Sequence, residues 1–226
     1  MNQGADYFHQ IYYRYVSSDN FPNDESIFLH NSKFVLLFFN QPKSKLHLLL
    51  LPRLSFLSLK NCRELSPDHV EKVKLLHSAA EIIVDHLLRN SISSNDQLRA
   101  SHGLDNLSAK LAAIPNVNKK DLKSSVHIKM GYLPLPAFEP LHMHILTDDF
   151  DSIWLKTRRQ WNSFNTAYFL DCTSIDEWLA AGFSIGDILP EDSRELEIYL
   201  MQTIRCSHCK KVQKDIRSLK AHLKIH

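Results

Sequence analysis

No stretch of this 226-residue sequence is apolar for long enough to cross a bilayer. The longest such run, Leu46 to Leu51, is interrupted by His47 and closed by Pro52, against the roughly 20 residues a spanning helix needs. Met1 to Tyr15 lacks the basic start and apolar centre of a secretion signal, so a reducing compartment is expected. Internal repeats and long low-complexity tracts are missing as well, which removes solenoid and fibrous architectures. Cysteine is scarce: of four, Cys62 and Cys172 stand alone and are expected as small buried hydrophobes, while Cys206 and Cys209 lie near a histidine pair and read as metal ligands rather than a disulfide. What is present is 44% hydrophobic residues, enough for one sizeable core and a small satellite.

The net charge of +2 conceals an asymmetry, since from Arg205 onward seven cations face only Asp215. The tail is therefore near +6 and the remainder near −4, a distribution suited to a polyanionic partner. The same tail carries Cys206-x2-Cys209-x12-His222-x3-His226. A two-residue gap aims two thiolates at one point, and histidines one helical turn apart share a face, so the four close a tetrahedron suited to one structural Zn2+. Leu219 is placed for the finger's small core, with Val212 expected to replace the aromatic residue that Gln213 does not supply. Zinc is expected to contribute the folding energy of so small a unit. A lone finger spans about three base pairs, so it is expected to grip backbone rather than read sequence. His208 is expected to face solvent.

Upstream, Lys33 to Phe39 and Lys45 to Leu51 predict a hairpin at the centre of a sheet. Ser66 and Pro67 predict the start of a long helix whose apolar face is Val70, Val73, Leu76, Ala80, Ile83, Val84 and Leu87. Residues 90–123 read as an exposed insertion with a short helix around Leu107 to Ala113. Val126, Ile128 and Met130 alternate into a third strand. In the fourth, Leu141, Met143 and Ile145 take the core face and His142 with His144 the other. A capping box from Ser174 to Glu177 predicts a helix ending near Gly182, with a connection to the finger over 183–204.

Two histidines at i, i+2 on a strand admit three readings: metal ligands, a nucleophile with a helper, or polar groups on an exposed face. No carboxylate or cysteine on that strand offers a third ligand. A neutral imidazole, by contrast, attacks phosphorus and departs readily.

The segment Leu141-His142-Met143-His144-Ile145-Leu146 resembles the end of a histidine-triad motif. Thr147-Asp148-Asp149-Phe150-Asp151-Ser152 and Leu155-Lys156-Thr157-Arg158-Arg159-Gln160-Trp161-Asn162-Ser163-Phe164-Asn165-Thr166 are similar to the segment on the C-terminal side of that motif in aprataxins. Pro42-Lys43-Ser44-Lys45-Leu46-His47 and the terminal finger complete the likeness. The resemblance implies an α+β histidine-triad (HIT) fold with an antiparallel sheet and packed helices. It divides the chain into an N-terminal extension (1–24), a catalytic domain (25–172, with the 90–123 insertion), a helix and linker (173–204) and the C2H2 finger (205–226). It further implies a nuclear hydrolase that removes AMP from 5′-adenylated DNA ends. His142 would be the nucleophile, giving a histidine–AMP intermediate and then AMP, and His144 would steady the phosphate oxygens. His47 and Asn40 would face the nucleotide. Lys43, Lys156, Arg158, Arg159, Ser163 and Asn165 would hold DNA, with Trp161 and Phe164 as core anchors.

Four positions depart from the family pattern: Pro140 replaces the first triad histidine, Ala137 a phosphate-binding serine, Phe39 a ribose-binding aspartate and Leu133 a histidine. Each missing hydrogen bond to a charged phosphate costs about 1.5–3 kcal/mol. The alternative is therefore a catalytically weakened DNA-end binder that keeps scaffold and finger. A hydrolase of small AMP amidates or dinucleotides would need neither the basic run nor the finger.

Overall fold

The computed structural model describes residues 3–18, 26–89 and 127–226. The expected insertion and its short helix lie outside them. Six strands, β1 (Ile27–His30), β2 (Phe34–Phe38), β3 (His47–Pro52), β4 (Ile128–Tyr132), β5 (Met143–Thr147) and β6 (Leu170–Asp171), pair antiparallel in the order β1-β2-β3-β5-β4-β6. The expected hairpin is β2 and β3, in register from Phe34 opposite Pro52 to Phe38 opposite Leu48. β3 and β5 are the two central strands, which is why both consist wholly of buried residues.

Alternation along these strands sorts side chains onto two faces. Phe34, Leu36, Leu48, Leu50, Met143 and Ile145 point into the main core. There they meet Val73, Leu76, Ala79, Ala80 and Ile83 of helix α2 (Val70–Arg89), whose apolar stripe at helical spacing was legible in the sequence. The chain enters α2 through a 3-10 turn, Pro67–His69, closed by the Ser66 amide donating to His69 Nδ1 at 3.1 Å. Cys62 and Cys172 are buried here as expected, and burial pushes the Cys62 thiol up to about 12. His77 on α2 ties the layers together, 2.9 Å from Asp176 Oδ2 and 2.9 Å from the Tyr132 hydroxyl. Gly131 has no alternative at its position, because a Cβ there would collide with the Leu170 carbonyl and the Phe169 ring.

The opposite face is covered in two separate patches. Val35, Leu37, Leu49 and Leu51 are covered by Tyr12, Tyr15 and Val16 of helix α1 (Gln3–Ser17), so the N-terminal extension contributes a packed helix. At the other end, Leu146 packs with Phe150, Leu155, Trp161 and Phe164, the last two from helix α3 (Arg158–Asn165), and with Ile204, Cys206 and Leu219 from the C-terminal module. Trp161 and Phe164 are the core anchors the sequence led us to expect.

Two expectations change. Helix α4 (Cys172–Ala180) begins earlier than the Ser174 box, capped by Asp171 whose carboxylate accepts from the Thr173 amide; its end before Gly182, at φ 89°, is as expected. The connection over 183–204 is not a bare linker. It holds short helices α5 (Ile185–Ile188) and α6 (Ser193–Leu200), and Ile185, Leu189, Leu196 and Leu200 enter the main core because each helix has one apolar side to bury.

Candidate active site and nucleic-acid interface

Between the two patches lies a row of imidazoles. β3 and β5 register places His47 opposite Leu146 and Leu49 opposite His144, putting both histidines on the less covered face. His142, two residues before His144, shares that face. All three are at most 4% exposed, and their ring centroids run His47 to His144 at 5.2 Å and His144 to His142 at 5.1 Å. Phe39 and Phe138 wall one side and Phe164 the other, with Phe164 5.5 Å from His47 and 5.3 Å from His144.

The hydrogen bonds fix each tautomer. The Lys43 amide donates to His47 Nδ1 at 3.1 Å, so that nitrogen is unprotonated and the proton sits on Nε2. His47 Nε2 then donates to His144 Nδ1 at 2.9 Å, which leaves the His144 proton on Nε2, buried and without a partner among the described residues. His142 Nδ1 lies 2.8 Å from the Pro140 carbonyl oxygen, which can only accept. Its Nε2 therefore carries a free lone pair. Phe138 lies flat against this ring, 4.4 Å away and inclined 15°. Burial holds the imidazoles neutral: His142 is lowered to about 4, His47 to about 3 with Lys43 and His142 adding repulsion, and His144 well below the ordinary range.

Asn40, expected to face the nucleotide, is exposed on the turn, while its neighbour Phe39 points its ring at His47 from 4.9 Å. Ala137 is exposed and offers no hydroxyl. Lys43 is the cation nearest the row. Burial, then Lys156, lower its ammonium to about 8, and Nζ donates to the Trp154 carbonyl at 3.2 Å. Lys156 and Arg158 are exposed at the start of α3, where Thr157 and Gln160 form a capping box. Arg159 is spent on Glu197, a two-pronged ion pair with one contact at 2.8 Å. Ser163 and Asn165 turn their donors back into the helix, onto the Arg159 and Trp161 carbonyls. Of the expected DNA-holding set, Lys156 and Arg158 thus keep charge facing outward, and Lys43 stands largely buried beside the row.

In the C-terminal module, ligand atoms of Cys206, Cys209, His222 and His226 all lie within 4.8 Å of one another, with Cys209 Sγ 3.1 Å from His222 Nε2 and the two imidazole Nε2 atoms 3.2 Å apart. Two thiols and two imidazoles at these separations fit a tetrahedral zinc. His222 and His226 are brought to one side by helix α7 (Ile216–Leu223) and the turn after it. His208 is exposed, as expected. Val212 does not fill the finger's core: half exposed, it pairs with Arg205 in an isolated bridge, and Leu219 packs instead against the body. Trp161 Nε1 donates to the Arg205 carbonyl at 3.1 Å, and the Asn162 amide reaches the Leu200 and Gln202 carbonyls, so α3 fastens the finger. Phe138 and Phe164 were not singled out from sequence as site walls. The signal available was an aromatic four residues before the first histidine of the pair.

An antiparallel α+β sheet carrying a histidine pair, with a Cys2His2 module docked beside it, is the arrangement of a histidine-triad-like fold joined to a C2H2-type finger. Residues 165–226 match the C2HE / C2H2 / C2HC zinc-binding finger family, and residues 13–97 the family described as scavenger mRNA decapping enzyme C-term binding. The chain is 31% identical to aprataxin of Ciona intestinalis over 88% of its length and 42% of the relative's, and 28% identical to aprataxin of Danio rerio over 90% and 48%. It is 27% identical to the aprataxin-like protein of Saccharomyces cerevisiae over 93% of this chain and 92% of that one. The crystal structure of the aprataxin ortholog Hnt3 from Schizosaccharomyces pombe superposes with a TM-score of 0.54 at 23% identity, covering 89% of this chain and 85% of that one. One of the ortholog Hnt3 in complex with DNA gives 0.57 at 21%, covering 96% and 94%. The chain is similar to aprataxins and an aprataxin-like protein over about nine-tenths of its length. It spans less than half the length of these two animal aprataxins.

Proposed function

We propose that this chain is a nuclear DNA-repair hydrolase that removes AMP from 5′-adenylated DNA ends, with the C-terminal module holding one structural zinc and gripping backbone. The observation that carries the reading is the prepared pair: a neutral His142 with its lone pair on Nε2, beside a buried His144 Nε2–H that lacks an acceptor among the described residues. His142 Nε2 attacks the adenylate phosphorus, the P–O bond to the DNA 5′-phosphate breaks, and AMP is left on the imidazole. Water then attacks that phosphorus and returns His142. His144 Nε2–H supplies the missing hydrogen bond to a phosphate oxygen as its charge grows, a contact worth about 1.5–3 kcal/mol. Burial lowers the His142 pKa well below the working pH, so no fraction of the nucleophile is lost to protonation.

The Pro140 carbonyl orients His142. The names of the relatives, and the structure of an ortholog in complex with DNA, support the same reading. The weakened end-binder remains the second reading, favoured by the exposed Ala137 and Asn40, which leave phosphate and ribose with fewer donors.

Purified protein incubated with a 5′-adenylated nicked duplex is expected to release AMP and to form an acid-labile adenylate on His142. His142→Ala is expected to lose at least about a thousandfold in rate. No AMP release, or an alanine variant as active as the parent, would overturn the hydrolase and leave the binder.

A further inference from the structure

The loop between β5 and α3 presents two large apolar side chains to solvent beside the histidines: Ile153 is 80% exposed and Trp154 37%. Such a display on a slack loop would mean little. This one is fastened on three sides. The Ser152 hydroxyl donates to the Pro42 carbonyl at 2.5 Å, Lys220 of the finger donates to the Ser152 carbonyl at 2.5 Å, and Lys43 Nζ donates to the Trp154 carbonyl. The Trp154 amide in turn donates to Ser152 Oγ at 3.1 Å. Through Lys43 the loop is joined to His47 and thence His144, so it stands at the edge of the site where body and finger meet. Lys156 places its ammonium 5.0 Å from the Trp154 ring centre, and neither Lys156 nor Arg158 is ion-paired among the described residues.

An indole on an anchored backbone, partly open, with cations beside it matches a nucleobase and its phosphate. Stacking on an aromatic tolerates any base, and the flanking ammonium meets the backbone that carries it. We propose that Trp154, flanked by Ile153, is a stacking step for a nucleobase of the bound DNA strand close to the adenylated phosphate, with Lys156 and Arg158 receiving the adjoining phosphates. This rests on the reading of DNA as the substrate. It adds a binding contact that the basic run alone does not supply, since phosphate contacts position a strand whereas a stacked ring detects the presence of a base.

The test measures dissociation constants of the full chain for a nicked adenylated duplex and for a series in which each of the four nucleotides nearest the nick is made abasic in turn. Trp154→Ala is expected to bind the intact duplex about 10-fold more weakly, with Trp154→Phe restoring affinity to within about 2-fold. One abasic position is expected to weaken the parent about 10-fold and leave Trp154→Ala unchanged. The proposal is overturned if the parent is indifferent to every abasic position, if Trp154→Ala binds like the parent, or if Trp154→Phe is as weak as alanine. The abasic series uses the parent protein, so it decides even if Trp154→Ala folds poorly. AMP release is followed in the same samples. Tight, base-dependent binding without AMP overturns the hydrolase and leaves the stacking step standing, whereas a parent that fails to bind the duplex overturns both.

Discussion

Leu219→Ala tests whether the finger is an appendage or a wall of the body that carries the sheet. Leu219 is fully buried, and its neighbours are not the finger's own residues alone but Leu146, Phe150, Leu155 and Trp161. Removing three carbons from a core leucine costs about 2–5 kcal/mol, according to how far the surroundings collapse. Collapse is hindered here, because Trp161 is held by its bond to the Arg205 carbonyl and Asn162 by the Leu200 and Gln202 carbonyls. We therefore expect about 3–4 kcal/mol. Leu146 faces His47 across the β3–β5 pairing, so the loss is expected to reach the sheet. The assay is urea unfolding in a Trp154→Phe, Trp178→Phe background, which leaves Trp161 as the sole indole reporter. The Trp161 transition should move to lower urea with an unchanged slope. If that transition stays in place while the finger alone opens, as seen by reaction of Cys209 with a thiol reagent, the shared core has been misjudged.

Acid should destabilise the protein early. His142, lowered by burial to about 4, binds its proton far more weakly folded than unfolded, where it titrates near 6.5. Its neutral form stabilises the fold fully above pH 6.5, and that contribution, on the order of 3 kcal/mol, is lost as pH falls toward 4. Urea midpoints that do not decline between pH 6.5 and 4.5 would refute this, and AMP release should show no loss from nucleophile protonation between pH 8 and 6. Gly131→Ala is expected to cost at least about 2 kcal/mol by forcing β4 from β6, read as a fall in melting temperature. Arg158→Ala should lower the salt slope of DNA binding by about 1, whereas Arg159→Ala, whose partner is Glu197, should change it less.

The strands and α2 were legible because their apolar residues recur at periods of 2 and 3.6, and the metal cluster because chelation dictates spacing. The histidine pair was legible as a pair, but its readiness was not. That depends on the His47–His144 contact, which only strand register brings about, and on backbone groups, the Pro140 carbonyl and the Lys43 amide, whose direction residue types do not reveal. The same holds for Arg159, Ser163 and Asn165: their residue types suit phosphate, yet local geometry engages them with Glu197 and the helix backbone. β1 and β6 escaped notice because strands of four and two residues are too short to display a period. α5 and α6 lay hidden in a segment whose proline and charged run look like a tether.

The two patches that flank the imidazole row come from opposite reaches of the chain, Tyr12 to Val16 on one side and Ile204 to Leu219 on the other. During synthesis the sheet strands, with His142 and His144, leave the ribosome first, and Leu219 emerges almost fifty residues after β6. A nascent chain halted in between would carry the imidazole row with one flank unbuilt, and Leu146, Phe150 and Trp161 without Ile204 and Leu219 against them. That face of the sheet is therefore closed only by a segment translated late, the same one that carries the four candidate metal ligands.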